Sequence, residues 1–587
     1  MSLYHSDKNN KKMKEQKRNS RYMPLLMAAC TVVGILFGTF FANHFSANRL
    51  NIINSGSSRL NNLLNIVNDQ YVDAVNMDSL MERAIPQILA DLDPHSVYIS
   101  AKDVQAANDD LKGSFSGVGI EFVIREDTIR VQNVISNGPA EKAGLIAGDK
   151  IVMVDDKPFV GKKVTNEEAM RRLKGPKDTK VKIGVLRYGD NKVKQFTVTR
   201  GEIPTHSVTA TYMLDDETGY IRIKSFGENT YPEMLIALAE LSQQGFENLV
   251  IDLRDNTGGY LMSAVQIVNE FLPKNKLIVY TEGRKSPRQD YRSDGRGSYQ
   301  KIPLVVLINE ASASASEIFA GAIQDNDRGT VIGRRSFGKG LVQKQLDFPD
   351  GSLIRLTIAR YYTPSGRCIQ KPYTPGETNY EEDLLVRYQH GEFFSQDSIK
   401  HTGPAYHTGI GRTVYGGGGI TPDIFVPEDT TDMTSYYKQA SMSGLILQFA
   451  FQYTDENRQH LSTFREMPAL SSYLVAQNTV EKFAVYADKH GLQRRNLMIK
   501  KSHTLLERYI NSRIIYNIMD ENAWIEYLNQ DDPVIIRALE VFRNKAAFPK
   551  KESSSGSEKK NQKVARASGL RYADPSLHQR VSHIACA

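Results

Sequence analysis

Two apolar strands that each end in a turn of small residues constrain this chain more than any other feature. Asn248-Leu249-Val250-Ile251-Asp252-Leu253 is a continuous apolar strand, and it runs straight into Arg254-Asp255-Asn256-Thr257-Gly258-Gly259. A helical pattern follows through Val265 to Phe271. Pro303 to Asn309 reads as a second buried strand, leading to a helix that starts near Ser314. From about residue 202 to 435 the pattern is therefore strand, helix, strand. Strands that end in glycine-rich loops and open helices are where α/β folds place their chemistry.

The second of these turns carries reactive groups. The run N-E-A-S-A-S-A-S-E-I-F-A-G-A from Asn309 to Ala322 sets Ser312, Ser314 and Ser316 on a strand-to-helix turn. Further on, S-F-G-K-G-L-V-Q from Ser336 to Gln343 offers Lys339 between Gly338 and Gly340. A serine is a nucleophile only if a base removes its proton, and a neutral lysine can be that base. Chemistry alone does not choose among the three serines. A lysine with its ordinary pKa of about 10.4 is charged at neutral pH, so its site has to lower that value by desolvation or nearby positive charge. A Ser-His-Asp triad finds little support, because there is no G-x-S-x-G elbow and no histidine between His206 and His390. His95, after Asp93-Pro94, reads as part of a structural turn. His401 and His407 lack a third ligand, so no metal is expected, nor any other cofactor.

Charge and cysteines narrow the class. The net charge is +7, but residues 1–22 carry seven Lys/Arg against Asp7 and Glu15, and residues 549–587 carry eight against Glu552, Glu558 and Asp574. Each end is thus +5 and the body between them −3, which argues against a nucleic-acid-binding core. Cys30, Cys368 and Cys586 show neither metal nor redox spacing and exclude a disulfide scaffold. Met23 to Phe41 contains no charge and is about long enough to span a bilayer. Basic residues crowd before it, so the positive-inside rule places 1–22 in the cytoplasm and the rest outside. Phe40-Phe41-Ala42-Asn43-His44 is a poor cleavage site, and the apolar run continues past Cys30, against a lipoprotein. An uncleaved single-pass anchor at 23–42 is the expectation.

Along the rest of the chain, 58–112 shows helical spacing, with Leu60, Leu63, Leu64 and Ile66, then Leu80, Met81, Ala84, Ile85 and Ile88. Residues 113–201 alternate strand-like runs with turns, 371–414 are polar and aperiodic, 436–548 are mostly helical, and 549–587 have a disordered composition. The two helical regions are candidates for dimerisation or partner docking, although amphipathic faces more often mark packing within a domain.

Gly117-Val118-Gly119-Ile120-Glu121-Phe122, joined to Gly138-Pro139-Ala140-Glu141-Lys142-Ala143-Gly144-Leu145 and Gly148-Asp149, closely resembles a PDZ domain. In such domains a glycine-rich loop, here Gly117, Val118, Gly119 and Ile120, points N–H groups at a peptide's C-terminal carboxylate while the peptide adds a strand to the sheet. With Asp252-Leu253-Arg254-Asp255-Asn256-Thr257-Gly258-Gly259, Ser314, Lys339 and Gln343 following in order, residues 60 to 430 resemble the carboxy-terminal processing peptidases, or tail-specific proteases. Tyr361-Tyr362-Thr363-Pro364-Ser365-Gly366-Arg367 and Gly419-Ile420-Thr421-Pro422-Asp423 add two more matches; residues 371–414 split them and read as an insertion.

The resemblance implies a multidomain α/β protein: a ClpP/crotonase-like protease core at 202–435, an inserted or preceding β-rich PDZ domain, and flanking helical regions. It maps the nucleophile to Ser314, the general base to Lys339, and the residue orienting the lysine to Gln343. The oxyanion donors fall to Gly258 or Gly259 and the backbone of Ala315; two donors about 3 Å from the developing charge are needed. The implied protein is a serine endopeptidase of the bacterial inner membrane with its catalytic domain in the periplasm, taking protein substrates by their C-termini. The alternative is an inactive PDZ-based membrane scaffold, against which the intact Ser314, Lys339 and Gln343 set argues.

Overall fold

The computed structural model describes residues 27–37, 39, 56–125, 127–135, 137–161, 164–187, 190, 192–374, 380, 382–401 and 403–550. Two compact units divide the chain, Met1–Ile88 and Leu89–Ala587. Residues 27–37 and 39 are helical and exposed, and helices follow at Gly56–Gln70 and Met77–Ala90. The anchor expected at 23–42 lies partly outside the described residues, the basic segment 1–22 wholly so, and the tail is described only to residue 550. Among the described residues no helix is long and apolar enough to cross a membrane.

The second unit is built on a six-stranded sheet in the order Val208–Met213, Thr218–Ile223, Asn248–Asp252, Leu304–Ile308, Thr330–Gly333, Ile424–Phe425. The first pair is antiparallel and every later pair parallel. Parallel neighbours need crossover connections, which put helices over the sheet and leave the inner strands dry on both faces. Leu304–Ile308 is accordingly buried at every position. One face packs against helices Thr230–Gln243, Leu261–Asn269 and Ala315–Asp325, where Leu238, Ile267 and Phe319 share a core with Ile251 and Val306.

The opposite face turns Val250, Val305 and Leu307 toward Ile525, Ile535 and Val541 of helices Glu521–Asn529 and Pro533–Arg543. These last two helices, read from sequence as part of one helical region, form the second covering layer of the central sheet. The helices between Ser435 and Ile518 pack instead around a core of their own that includes Phe449, Phe483 and Ile510. Successive strand residues point to opposite faces, so a strand apolar at every position requires two layers. Nothing local says which distant helix supplies the second.

A second sheet centres on Leu353–Tyr362, paired with Val97–Ile99, Leu277–Glu282 and Leu341–Asp347. Its hairpin sets Gln343 opposite Thr357. The β-rich domain before the core has the strand order Ile120–Arg125, Thr128–Val134, Lys150–Val154, Lys180–Leu186, Lys194–Thr199, with helices Pro139–Ala143 and Asn166–Leu173. Its entry and exit are closed by a ribbon of Ser114–Gly117 against Gly201–Pro204. The 371–414 segment forms a helix, Asp383–Gln389, and a small hairpin, Ala405–His407 with Thr413–Tyr415. From it Arg387 donates to the carbonyls of Arg335 (2.7 Å) and Ser336 (3.1 Å), holding the chain that leads to Lys339.

Truncating Ile535 to Ala should leave a cavity between the sheet and its second layer and destabilise the core by about 2–5 kcal/mol, read as a lowered denaturant midpoint.

Candidate active site

Parallel register brings three strand ends to one edge. Asp252 lies beside Leu307, and Ile308 beside Gly333, so the loops at 253–260, 309–314 and 334–340 leave the sheet together. Backbone and side-chain bonds then stitch them: Asp255 N–H to Asn309 Oδ1 (2.9 Å), Ala313 N–H to the Asn256 carbonyl (2.9 Å), and Phe337 N–H to the Ser312 carbonyl (3.0 Å).

The fold separates the three serines that the sequence leaves equivalent. Ser312 is fully buried and its hydroxyl donates to the Leu253 carbonyl (2.7 Å). Ser316 is fully buried and donates to the Asn256 carbonyl (2.9 Å). Both hydroxyls fasten the helix to the neighbouring loop. Ser314 sits between them, half-buried, with φ +56° and ψ −112° at the head of helix Ala315–Asp325. A serine with positive φ is strained backbone held by its surroundings, and such strain gathers at functional sites. Unlike its two neighbours, its hydroxyl donates to no carbonyl among the described residues.

Gly258 lies against this turn and Gly259 against Phe226. A Cβ on Gly258 would stand 2.7 Å from Ser314 Cβ and 3.0 Å from Ala315 N. One on Gly259 would stand 2.2 Å from the Phe226 carbonyl oxygen, with φ at +140°. Only glycine permits both conformation and approach. The Gly258 N–H, one of the two expected oxyanion donors of this loop, is committed to Asn256 Oδ1 (2.8 Å). Gly258 therefore shapes the site by close approach, and the Gly259 and Ala315 N–H groups are the pair without partners among the described residues. Asn256, fully buried, also donates to the Ile223 carbonyl (2.9 Å) and so fixes the loop to the sheet.

Lys339 reaches the site from the third loop, and its amine lies 3.5 Å from Gln343 Oε1. Burial pushes its ammonium below the ordinary lysine value; Glu317 and Asp93 act against that shift and Arg355 with it. This is the direction a general base requires. No hydrogen bond joins Ser314 to the Lys339 amine among the described residues; in unliganded sites such contacts are often long and tighten only with substrate. Gln343 in turn donates from Nε2 to the His95 carbonyl. Asp93 shapes that turn by accepting from the N–H groups of His95 (2.8 Å) and Ser96 (2.9 Å). The His95 ring meets the Tyr380 hydroxyl at 3.0 Å. Burial, with the nearby Lys339 charge, takes its pKa down to about 4, so it is neutral at physiological pH.

Glu317 and Tyr361 lie in motifs quoted for their neighbours, and sequence reading gave them no role. Glu317, fully buried one turn after Ser314, accepts from the N–H groups of Ser314 (2.8 Å) and Lys339 (2.9 Å). The signal was a lone carboxylate in the otherwise small and apolar S-A-S-E-I-F-A.

In the β-rich domain, Gly117, Val118, Gly119 and Ile120 form the loop that enters strand Ile120–Arg125, an edge of its sheet. The Val118 and Gly119 carbonyls accept from Ala140 (2.8 Å) and Ile135 (3.1 Å), while their N–H groups have no partner among the described residues. An open edge beside free N–H groups is what strand addition by a peptide terminus requires.

Models of known families match three segments: peptidase family S41 at residues 217–378, a PDZ domain at 116–199, and a family of unknown function at 436–520. A carboxy-terminal-processing protease of Bartonella bacilliformis is 38% identical over 57% of this chain and 76% of its own length. A carboxyl-terminal-processing protease of Synechocystis is 37% identical over 49% and 68%. A solved photosystem II D1 C-terminal processing protease is 31% identical over 53% of this chain and 89% of that one, with a TM-score of 0.31.

Gly259→Ala should displace the loop from Phe226 and with it the unpartnered Gly259 N–H. Peptidase kcat/KM should fall about 10²–10³-fold with the far-UV circular dichroism unchanged.

Proposed function

The chain belongs to the carboxy-terminal processing proteases of peptidase family S41, and on that footing we propose that it cleaves with a Ser314–Lys339 dyad, in the periplasm, at the end of a membrane anchor. It is a serine-type peptidase with a PDZ domain; the dyad, the anchor and the compartment are the proposal.

In this reading the neutral Lys339 amine removes the Ser314 hydroxyl proton as Oγ attacks the scissile carbonyl. The resulting oxyanion lies between the N–H groups of Gly259 and Ala315. Collapse of the tetrahedral intermediate expels the amine, which takes its proton from the Lys339 ammonium. Water then attacks the acyl-enzyme with Lys339 again as base and releases Ser314. Gln343, held by His95, limits where the amine can point. The loop Gly117–Ile120 and the strand Ile120–Arg125 bind a substrate's free C-terminal carboxylate and its last residues. The observation that carries the dyad is the contrast among the serines: Ser312 and Ser316 donate their hydroxyls to neighbouring carbonyls, while Ser314, strained against Gly258, donates its hydroxyl to none among the described residues. The anchor rests on the uncharged run Met23 to Phe41 behind seven basic residues.

Ser314→Ala and Lys339→Ala should each abolish cleavage of a protein with an apolar C-terminus while leaving its binding intact, and full activity in either would remove the dyad. Lys339→Arg should be as inactive, since a guanidinium does not deprotonate in this range. Because the base works deprotonated, wild-type activity should rise with pH through a limb below the ordinary lysine titration at about 10.4. A peptide ending in a free carboxylate should compete with substrate, and its C-terminal amide should not. Removing residues 1–42 should move activity from the membrane fraction to the soluble one.

A further inference from the structure

We propose that Glu317 and Tyr361 are a pair of positioning residues that lock Ser314 and Lys339 to one another through the backbone, an inference that rests on the dyad reading above. The nucleophile and the base arrive on different elements. Ser314 heads the helix after strand Leu304–Ile308, whereas Lys339 lies beyond strand Thr330–Gly333 and enters the second sheet. Their mutual geometry is therefore fixed only by what crosses between them.

Glu317 crosses on the N–H side. One oxygen, Oε2, accepts from both Ser314 N–H (2.8 Å) and Lys339 N–H (2.9 Å). The other, Oε1, accepts from Ser336 Oγ (2.5 Å) and Gly338 N–H (2.7 Å). Tyr361 crosses on the carbonyl side, its buried hydroxyl within reach of the Ser314 carbonyl (3.1 Å) and of the Lys339 carbonyl. It comes from Leu353–Tyr362 of the other sheet, so the brace also fastens the two sheets together at the site. Four acceptor directions on two oxygens are what an ionised carboxylate offers; an amide presents donors on one side and could satisfy only half of the set.

The electrostatics indicate that geometry is the purpose. Glu317 is fully buried, and burial raises its pKa to about 7 against the pull of its four hydrogen bonds. Its negative charge raises the pKa of Lys339 and so opposes formation of the neutral base. A buried carboxylate that works against the base has to contribute something else, and its hydrogen bonds are all spent on the chain that carries the dyad. Lys339 faces Glu317, Arg355 and Asp93, with His95 neutral beside it. Glu317 faces Lys339 and Lys371 together with the hydroxyls of Tyr361 and Tyr380.

Geometry and charge predict separable effects, which gives the test. Kinetics and pH profiles of the full chain are compared for wild type, Glu317→Gln, Tyr361→Phe and the double variant, with Lys339→Ala as control. Glu317→Gln should lower kcat about 10- to 100-fold with KM changed less than about twofold. Its activity limb should move to lower pH, because the charge that raised Lys339 is gone. Tyr361→Phe removes a hydroxyl and no charge; kcat should fall about tenfold with the limb in place. The double variant should lose less than the product of the two singles, as expected of groups that act on one geometry. Wild-type kcat in both single variants would overturn the proposal. So would losses that match the fraction of molecules titrated by a serine-reactive probe, since that is what a general folding defect produces. If Glu317→Gln does not fold, Tyr361→Phe with its unmoved limb carries the same decision. Activity in Lys339→Ala would instead refute the dyad, an outcome distinct from failure of the brace.

Discussion

Parallel hydrogen bonding of Asn248–Asp252, Leu304–Ile308 and Thr330–Gly333 is the constraint on which the site depends. Three segments distant in sequence must leave the sheet at one edge, because parallel strands all point the same way. Each then turns at once into a loop of its own kind, with Gly258 against Ser314 at a helix head, and Lys339 beside Gln343. The first two loops lead into helices that pack back on the sheet, and Ser314 takes positive φ at the head of the second. Ser312, Ser316, Asn256 and Asn309 cross-link the loops, so the site is a hydrogen-bonded body rather than three independent tips.

Buried charge does unlike things in different parts of this structure. Arg367 and Asp325 form a wholly buried pair at 2.7 Å behind the active-site helix, and breaking such a pair costs about 3–5 kcal/mol. Arg254, in the glycine loop itself, joins Asp252 at 2.6 Å and Asp532 at 2.7 Å. Asp532 also accepts the Val534 N–H at the start of helix Pro533–Arg543, so the second covering layer is tied to the loop bearing Gly258 and Gly259. Lys339 differs from these, since its amine has only Gln343 as a side-chain partner among the described residues and desolvation is left to depress its pKa.

The C-terminal helices touch both working parts of the unit. Asn522 and Asn529 bond to the Thr211 N–H and the Tyr212 hydroxyl of the central sheet's first strand. Tyr516 donates to Glu121 at 2.5 Å on the edge strand of the PDZ domain. A domain joined to the core through one two-stranded ribbon is thereby given a second point of support, next to the strand that a substrate terminus would extend.

The sequence by itself determined the α/β core, the PDZ domain and the residues that meet at the site. These are local signals: a continuous apolar strand, a glycine pair where the backbone has no other option, and a lysine set between glycines. Tertiary structure decided how the three serines differ: Ser312 and Ser316 are buried and donate to carbonyls, whereas Ser314 is half-buried with positive φ and donates to none among the described residues. It decided that the Gly258 N–H serves Asn256, and that Glu317 and Tyr361 each reach both Ser314 and Lys339. It also decided that Glu521–Arg543 covers the central sheet, while the helices before it keep their own core. Asn256 is only two residues from Gly258, but the other deciding partners are remote in sequence, and periodicity reports only which face of an element is apolar. What that face meets is settled when the chain closes on itself.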